Sequence, residues 1–83
     1  MNRELYYKAK DITVDIELLE KSLQEINEIQ QNISWGHRTF VSIMSGASKY
    51  TLYDTKDIND LLIRQKERIV MRLHEQKHLL EAL

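Results

Sequence analysis

The sequence contains no cysteine and no proline, and only two of its 83 residues are glycine. The lack of cysteine excludes disulfide bonds, thiolate metal sites and thiol nucleophiles. Because both glycines lie at positions 36 and 46, the segments on either side contain no residue that interrupts a helix. Each segment can therefore form one long helix.

Long apolar runs and a strong net charge are also absent. No stretch approaches the length of a membrane span, and the N-terminal MNRELYYKAK lacks the apolar core of a signal peptide. The formal net charge is −1, so the total charge does not favour a polyanionic partner. The composition predicts a cytoplasmic protein that does not associate with membranes.

Apolar residues in the first segment recur at alternating spacings of four and three, which is a heptad pattern. This seam comprises Leu5, Ala9, Ile12, Ile16, Leu19, Leu23 and Ile26, and it continues at Ile33 after the polar Gln30. With Asn2 as the N-cap, the pattern predicts a helix over about residues 3–32. Val14, Leu18 and Ile29 lie off the seam and widen the apolar stripe, which indicates more than one neighbour.

The last segment repeats this pattern. Asp54 or Thr55 can cap a helix that we expect over about residues 56–83. Its seam is Leu62, Lys66, Ile69, Leu73, Gln76, Leu80 and Leu83. Residues 3–32 contain four basic and seven acidic side chains, whereas residues 56–83 contain six and five. This difference favours pairing of the two helices, because opposite charges select orientation. In the alternative interpretation, most of these charges belong to ordinary solvated helix faces.

β-Branched and aromatic residues replace the heptads between the helices, which predicts a β-hairpin over about residues 38–53. A two-residue turn at Gly46-Ala47 would place Val41, Ile43, Tyr50 and Leu52 on one face. The same register would place Ser42 opposite Thr51 and Phe40 opposite Tyr53. In the competing interpretation, residues 37–45 form a short third helix.

The predicted fold is mainly α: a single domain, residues 1–83, in which an antiparallel, coiled-coil-like pair of helices flanks a β-hairpin. This order of elements is similar to that of the small prefoldin subunits, which also place a hairpin between two coiled-coil helices. The resemblance covers the order of the elements and includes no sequence motif. It implies assembly through the hairpin.

The segment HEQKH, residues 74–78, places two histidines one helical turn apart, as in zinc peptidases. A catalytic zinc needs a third protein ligand, and no His, Asp or Cys follows His78. Serines near His37 are typical of turns, and no glycine pattern matches a P-loop or a dinucleotide-binding fold. The sequence therefore predicts a protein that is not an enzyme, with no catalytic residue, no metal site and no cofactor.

The polar face of the predicted hairpin combines charged donors, hydroxyls and rings. This set suits a phosphate joined to a base or sugar, and it comprises Arg38, Phe40, Ser42, Lys49, Thr51 and Tyr53. In the alternative interpretation, the aromatic side chains of this face pack against a helix or a second subunit.

These patterns predict a small, non-enzymatic binding protein that self-associates as a homodimer or homotetramer and engages another protein. The candidate protein contacts are Leu79, Leu80 and Leu83. The alternative function is sequestration of an anionic, nucleotide-like small molecule at an oligomer interface, as some phage proteins that oppose bacterial signalling do. Arg64, Arg68 and Arg72 form a basic ridge, but pairing with the acidic first helix explains the ridge better than nucleic acid does.

Overall fold

The structure, a computed structural model, describes residues 3–83. It contains helix α1 (Arg3–Ser34), strands β1 (Val41–Ser45) and β2 (Ser48–Leu52), and helix α2 (Thr55–Ala82). The mainly helical architecture with an intervening hairpin is confirmed, and both predicted helices are right to within two residues at each end. The predicted N-cap at Asn2 lies outside the described residues.

The two helices pack against each other along the predicted seams. Ile16 and Leu73 are buried, and Ile58, at the start of α2, is completely inaccessible to solvent. Other seam positions are half-buried: Ala9, Ile12, Leu19, Leu23, Ile26, Gln30, Ile33, Leu62, Lys66, Ile69, Gln76 and Leu80. The seam residues Leu5 and Leu83 remain exposed, because they lie at the end of the helix pair away from the hairpin.

Two ion pairs join the helices across the seam. The guanidinium of Arg72 lies 3.5 Å from the Asp15 carboxylate, and the Lys77 ammonium lies 3.4 Å from that of Glu20. Asp15 and Arg72 each come directly before a seam residue in the sequence, and Glu20 and Lys77 each come directly after one. The two ion pairs therefore lie on opposite sides of the seam. Because Arg72, Lys77 and Glu20 are more than half exposed and Asp15 is only partly buried, each pair contributes about 0–1 kcal/mol and mainly selects the orientation of the helices.

Helix α1 ends in a Schellman motif. The amide of Gly36 donates to the carbonyl of Ile33, and the amide of His37 donates to that of Asn32, both at 3.0 Å. Gly36 has φ of +83°, a conformation that side chains with a Cβ rarely adopt. The glycine therefore stops the helix and turns the chain toward β1.

The hairpin has the predicted register. Val41 pairs with Leu52, Ser42 with Thr51, and Ile43 with Tyr50. Gly46 alone has positive φ in the turn, +57°, which is the pattern of a type II′ turn. Because residues 41–45 form a strand, the competing third helix over residues 37–45 is wrong.

The chain is elongated and one helix layer thick. Its principal extents are 51 × 32 × 15 Å, and α1 alone accounts for about 48 Å of length. The two flat faces of the helix pair are therefore not covered by a second layer within residues 3–83. No helix in this part of the chain is both long enough and apolar enough to cross a membrane.

Helix α2 starts at an N-cap that offers a test of the fold. A side-chain oxygen of Asp54 accepts hydrogen bonds from the amides of Lys56 and Asp57, at 2.9 and 3.2 Å. We expect Asp54→Ala to lower the free energy of unfolding by about 1 kcal/mol, because two amides lose their acceptor. Asp54→Asn keeps an acceptor oxygen and should cost much less. Urea unfolding measures both, and equal losses in the two variants would contradict this role.

Candidate functional site

A cleft lies at the base of the hairpin, where the two strands meet the helices. It has a volume of about 490 Å³ and is lined by Arg38, Thr39, Phe40, Tyr53 and Thr55. These residues come from the segment before β1 and from the junction of β2 with α2. We call this surface the hairpin-base cleft.

Two aromatic rings form one wall of the hairpin-base cleft. Phe40 and Tyr53 lie just outside the paired strands, one on each arm, and their ring centroids are 6.5 Å apart with planes inclined at 42°. Phe40 is 64% exposed and Tyr53 is 73% exposed. Within one chain, therefore, these rings are not core residues.

Arg38 supplies the positive charge of the cleft. Among residues 3–83 its guanidinium forms no ion pair, in contrast to Arg72 and Lys77, which pair across the seam. Asp54, which lies between the cleft residues Tyr53 and Thr55 in the sequence, accepts hydrogen bonds from two amides at the N-terminus of α2 through one carboxylate oxygen.

The structure brings together three of the six side chains that the sequence indicated for this face. Ser42 and Thr51 lie farther along the hairpin, with their hydroxyl oxygens 3.5 Å apart. Lys49 pairs with Met44 beside the turn. Tyr53 lies four residues after Lys49 on the second arm of the hairpin, so Lys49 lies about 13 Å from this residue of the cleft.

Sequence reasoning missed two residues of the cleft, Thr39 and Thr55. The sequence prediction placed Thr39 on neither face of the hairpin, and residues 37–40 precede β1 and lie outside the paired strands. Thr55 is the first residue of α2, and no periodic pattern reaches it. The sequence indicated Thr55 only as one of two possible N-caps of α2, and in the structure the N-cap is Asp54.

A groove with a volume of about 650 Å³ runs along α2 beside the seam. Its apolar lining consists of the exposed side chains of Ile63, Val70 and Met71. Its polar lining consists of Gln30, Lys66 and Glu67. We call this surface the α2 groove.

The three predicted protein-binding leucines lie at the end of the helix pair away from the hairpin. Leu80 is half-buried in the seam, whereas Leu79 and Leu83 are about half exposed. Leu83 borders a cavity of about 300 Å³ with Leu5, Tyr6 and Ala9. This contact between the chain ends shows that α2 runs antiparallel to α1. Leu79 and Leu83 are therefore accessible to a partner.

His74 and His78 are exposed on α2. Within residues 3–83, no group of three or more His, Cys, Asp or Glu side chains is arranged to hold a metal ion. The HEQKH segment thus presents two imidazoles to solvent without a third ligand nearby.

Comparisons of the chain with protein-family models, with curated proteins and with solved structures found no match.

The strand register can be tested with a disulfide, because the chain has no cysteine of its own. In a two-residue hairpin the closing pair, here Ser45 and Ser48, is hydrogen-bonded, so Ser42 and Thr51 form a close, non-hydrogen-bonded pair. We expect the double variant Ser42→Cys/Thr51→Cys to oxidise to a monomeric disulfide, measured as loss of free thiols. The control Ser42→Cys/Tyr50→Cys places its thiols on opposite faces and should stay reduced. Disulfide formation in the control instead would show a register shifted by one residue.

Proposed function

We propose that this chain is a non-enzymatic interaction protein, which self-associates as a homodimer or homotetramer and uses its remaining apolar surface to engage another protein. The observation that carries this proposal is the amount of surface that one copy leaves uncovered. The accessible surface is 7015 Å², whereas a compact chain of 9.9 kDa exposes about 5,200 Å².

The shape of the chain supports the same proposal. The radius of gyration is 17.0 Å, against about 12 Å for a compact domain of this length. A standard interface removes about 800 Å² from each partner. The excess of roughly 1,800 Å² per chain is more than one such interface covers, which favours contacts with a second copy and with a further partner.

The α2 groove is the surface that we assign to self-association. Ile63, Val70 and Met71 lie on one side of α2, and each is about half exposed or more. Lys66 and Glu67 line the same groove with opposite charges. A two-fold interface is self-complementary, so Lys66 of one copy can meet Glu67 of the other while the apolar side chains pack at the centre.

The mass in solution tests the self-association. We expect the wild-type mass by light scattering to be at least twice 9.9 kDa. Val70→Glu should reduce it to the single-chain value, because a carboxylate in an apolar interface is costly unless it is paired. Val14→Glu is the matched control, since Val14 is 46% exposed and Val70 49% exposed, and Val14 lies on α1 away from the seam. A wild-type monomer with a cooperative melting transition, or equal effects of the two variants, would refute the assignment.

The exposed leucines at the end away from the hairpin are the surface that we assign to another protein. Leu79→Asp and Leu83→Asp should abolish capture of that protein from host lysate, because buried apolar anchors dominate interface energies. The mass of the oligomer should stay unchanged in both variants. A wild-type pull-down that returns only this chain, with either variant breaking the oligomer, would place these leucines in the self-association interface instead.

A further inference from the structure

We propose that the hairpin-base cleft binds a small planar ring that carries a phosphate group, that is, a nucleoside monophosphate. This activity goes beyond the interaction role proposed above. The cleft volume of about 490 Å³ lies within the range of about 300–1,000 Å³ that is typical of small-molecule sites. All five lining side chains come from one chain, so binding does not require self-association.

The two rings provide a stacking surface for the base. Phe40 and Tyr53 lie on opposite arms of the hairpin, each next to the paired residues Val41 and Leu52, and their ring centroids are 6.5 Å apart. Both side chains are mostly exposed, so most of each ring is open to a ligand. Aromatic rings bind one another by offset or edge contacts at centroid distances of about 4.5–7 Å, which a bound base can reach with either residue.

Arg38 provides the contact for the phosphate. Its guanidinium presents a planar fork of N–H donors that matches two phosphate oxygens, and among residues 3–83 it has no carboxylate partner. Thr39 and Thr55 line the cleft beside it and add hydroxyl groups. The Thr39 hydroxyl makes only one long hydrogen bond, of 3.4 Å, to the carbonyl of His37, so it can turn toward a ligand.

The combination of two exposed rings with an arginine that has no carboxylate partner distinguishes this cleft from the other surfaces described. The α2 groove has Lys66 beside Glu67 and no aromatic ring. Trp35 and His37 form another ring pair, 6.3 Å apart, but neither lines the cleft. Of the five cavities compared within residues 3–83, only the hairpin-base cleft combines two open rings with a cation that has no carboxylate partner.

The experiment is calorimetric titration of the full chain with the monophosphates of adenosine, guanosine, cytidine and uridine. We expect at least one to bind, and expect the corresponding nucleoside and inorganic phosphate each to bind at least about tenfold more weakly, because each keeps only one of the two contacts. Arg38→Ala should weaken binding about tenfold or more, and Arg38→Lys should not restore it, since lysine lacks the fork. Tyr53→Ala should weaken binding, whereas Tyr53→Phe, which keeps the ring, should retain most of it.

Arg64→Ala is the matched control, because it removes an exposed arginine of α2 that does not line the cleft. It should leave the affinity unchanged, and the thermal stability of every free variant should match that of the wild type. Failure of all four monophosphates to bind below about 1 mM, or equal effects of Arg38→Ala and Arg64→Ala, would overturn the proposal.

Two further outcomes would assign the cleft to a different partner and also overturn the proposal. One is much tighter binding of a short single-stranded oligonucleotide than of any mononucleotide. The other is a lower mass for Tyr53→Ala with no change in nucleotide affinity, which would show that a second copy covers the rings. Because mass and affinity are measured on the same samples, failure of the cleft and failure of self-association remain distinguishable.

Discussion

Burial of the seam between α1 and α2 is the interaction on which the rest of the structure depends. Ile16, Ile58 and Leu73 are the buried core residues of the described chain, and the other seam residues are half-buried or, at Leu5 and Leu83, exposed. One layer of two helices can bury one stripe on each helix and no more. The same packing that forms the core therefore leaves the flanks of both helices, including Val70 and Leu18, open to other molecules.

The seam also positions the hairpin, which has no core of its own. A two-stranded hairpin is marginal in water, so its base must be held by the helices. The Schellman motif at Gly36 and the N-cap at Asp54 fix the two points where the hairpin joins them. Val41 and Leu52 are half-buried at this base, whereas Ile43 and Tyr50 nearer the turn are exposed. The hairpin-base cleft consequently lies at the better-supported end of the hairpin.

Most of the fold could be predicted from the sequence because each element carries a periodic or conformational signal. Heptad spacing identified the seam, and the single glycine in the turn fixed the strand register. Periodicity assigns a side chain to a face but does not say how far apart two side chains on that face lie. Lys49 and Arg38 were thus grouped by face although Lys49 lies beside the turn and Arg38 precedes β1 at the other end of the hairpin. The sequence did not indicate Thr39 and Thr55 as cleft residues, because they lie at junctions between elements, where neither the strand period nor the helix period applies.

The hairpin-base cleft and the α2 groove are separate surfaces that share one helix. Thr55 begins α2, and Ile63 lies eight residues along it, about 12 Å from the cleft. Lys66 belongs both to the seam and to the α2 groove, so packing within one chain affects a side chain that the proposed self-association would use. If occupation of the cleft changes the affinity between copies, self-association must change the affinity of the cleft by the same factor. A polar residue at a seam position lowers stability, but it can determine how many chains associate. Lys66 occupies such a position on α2.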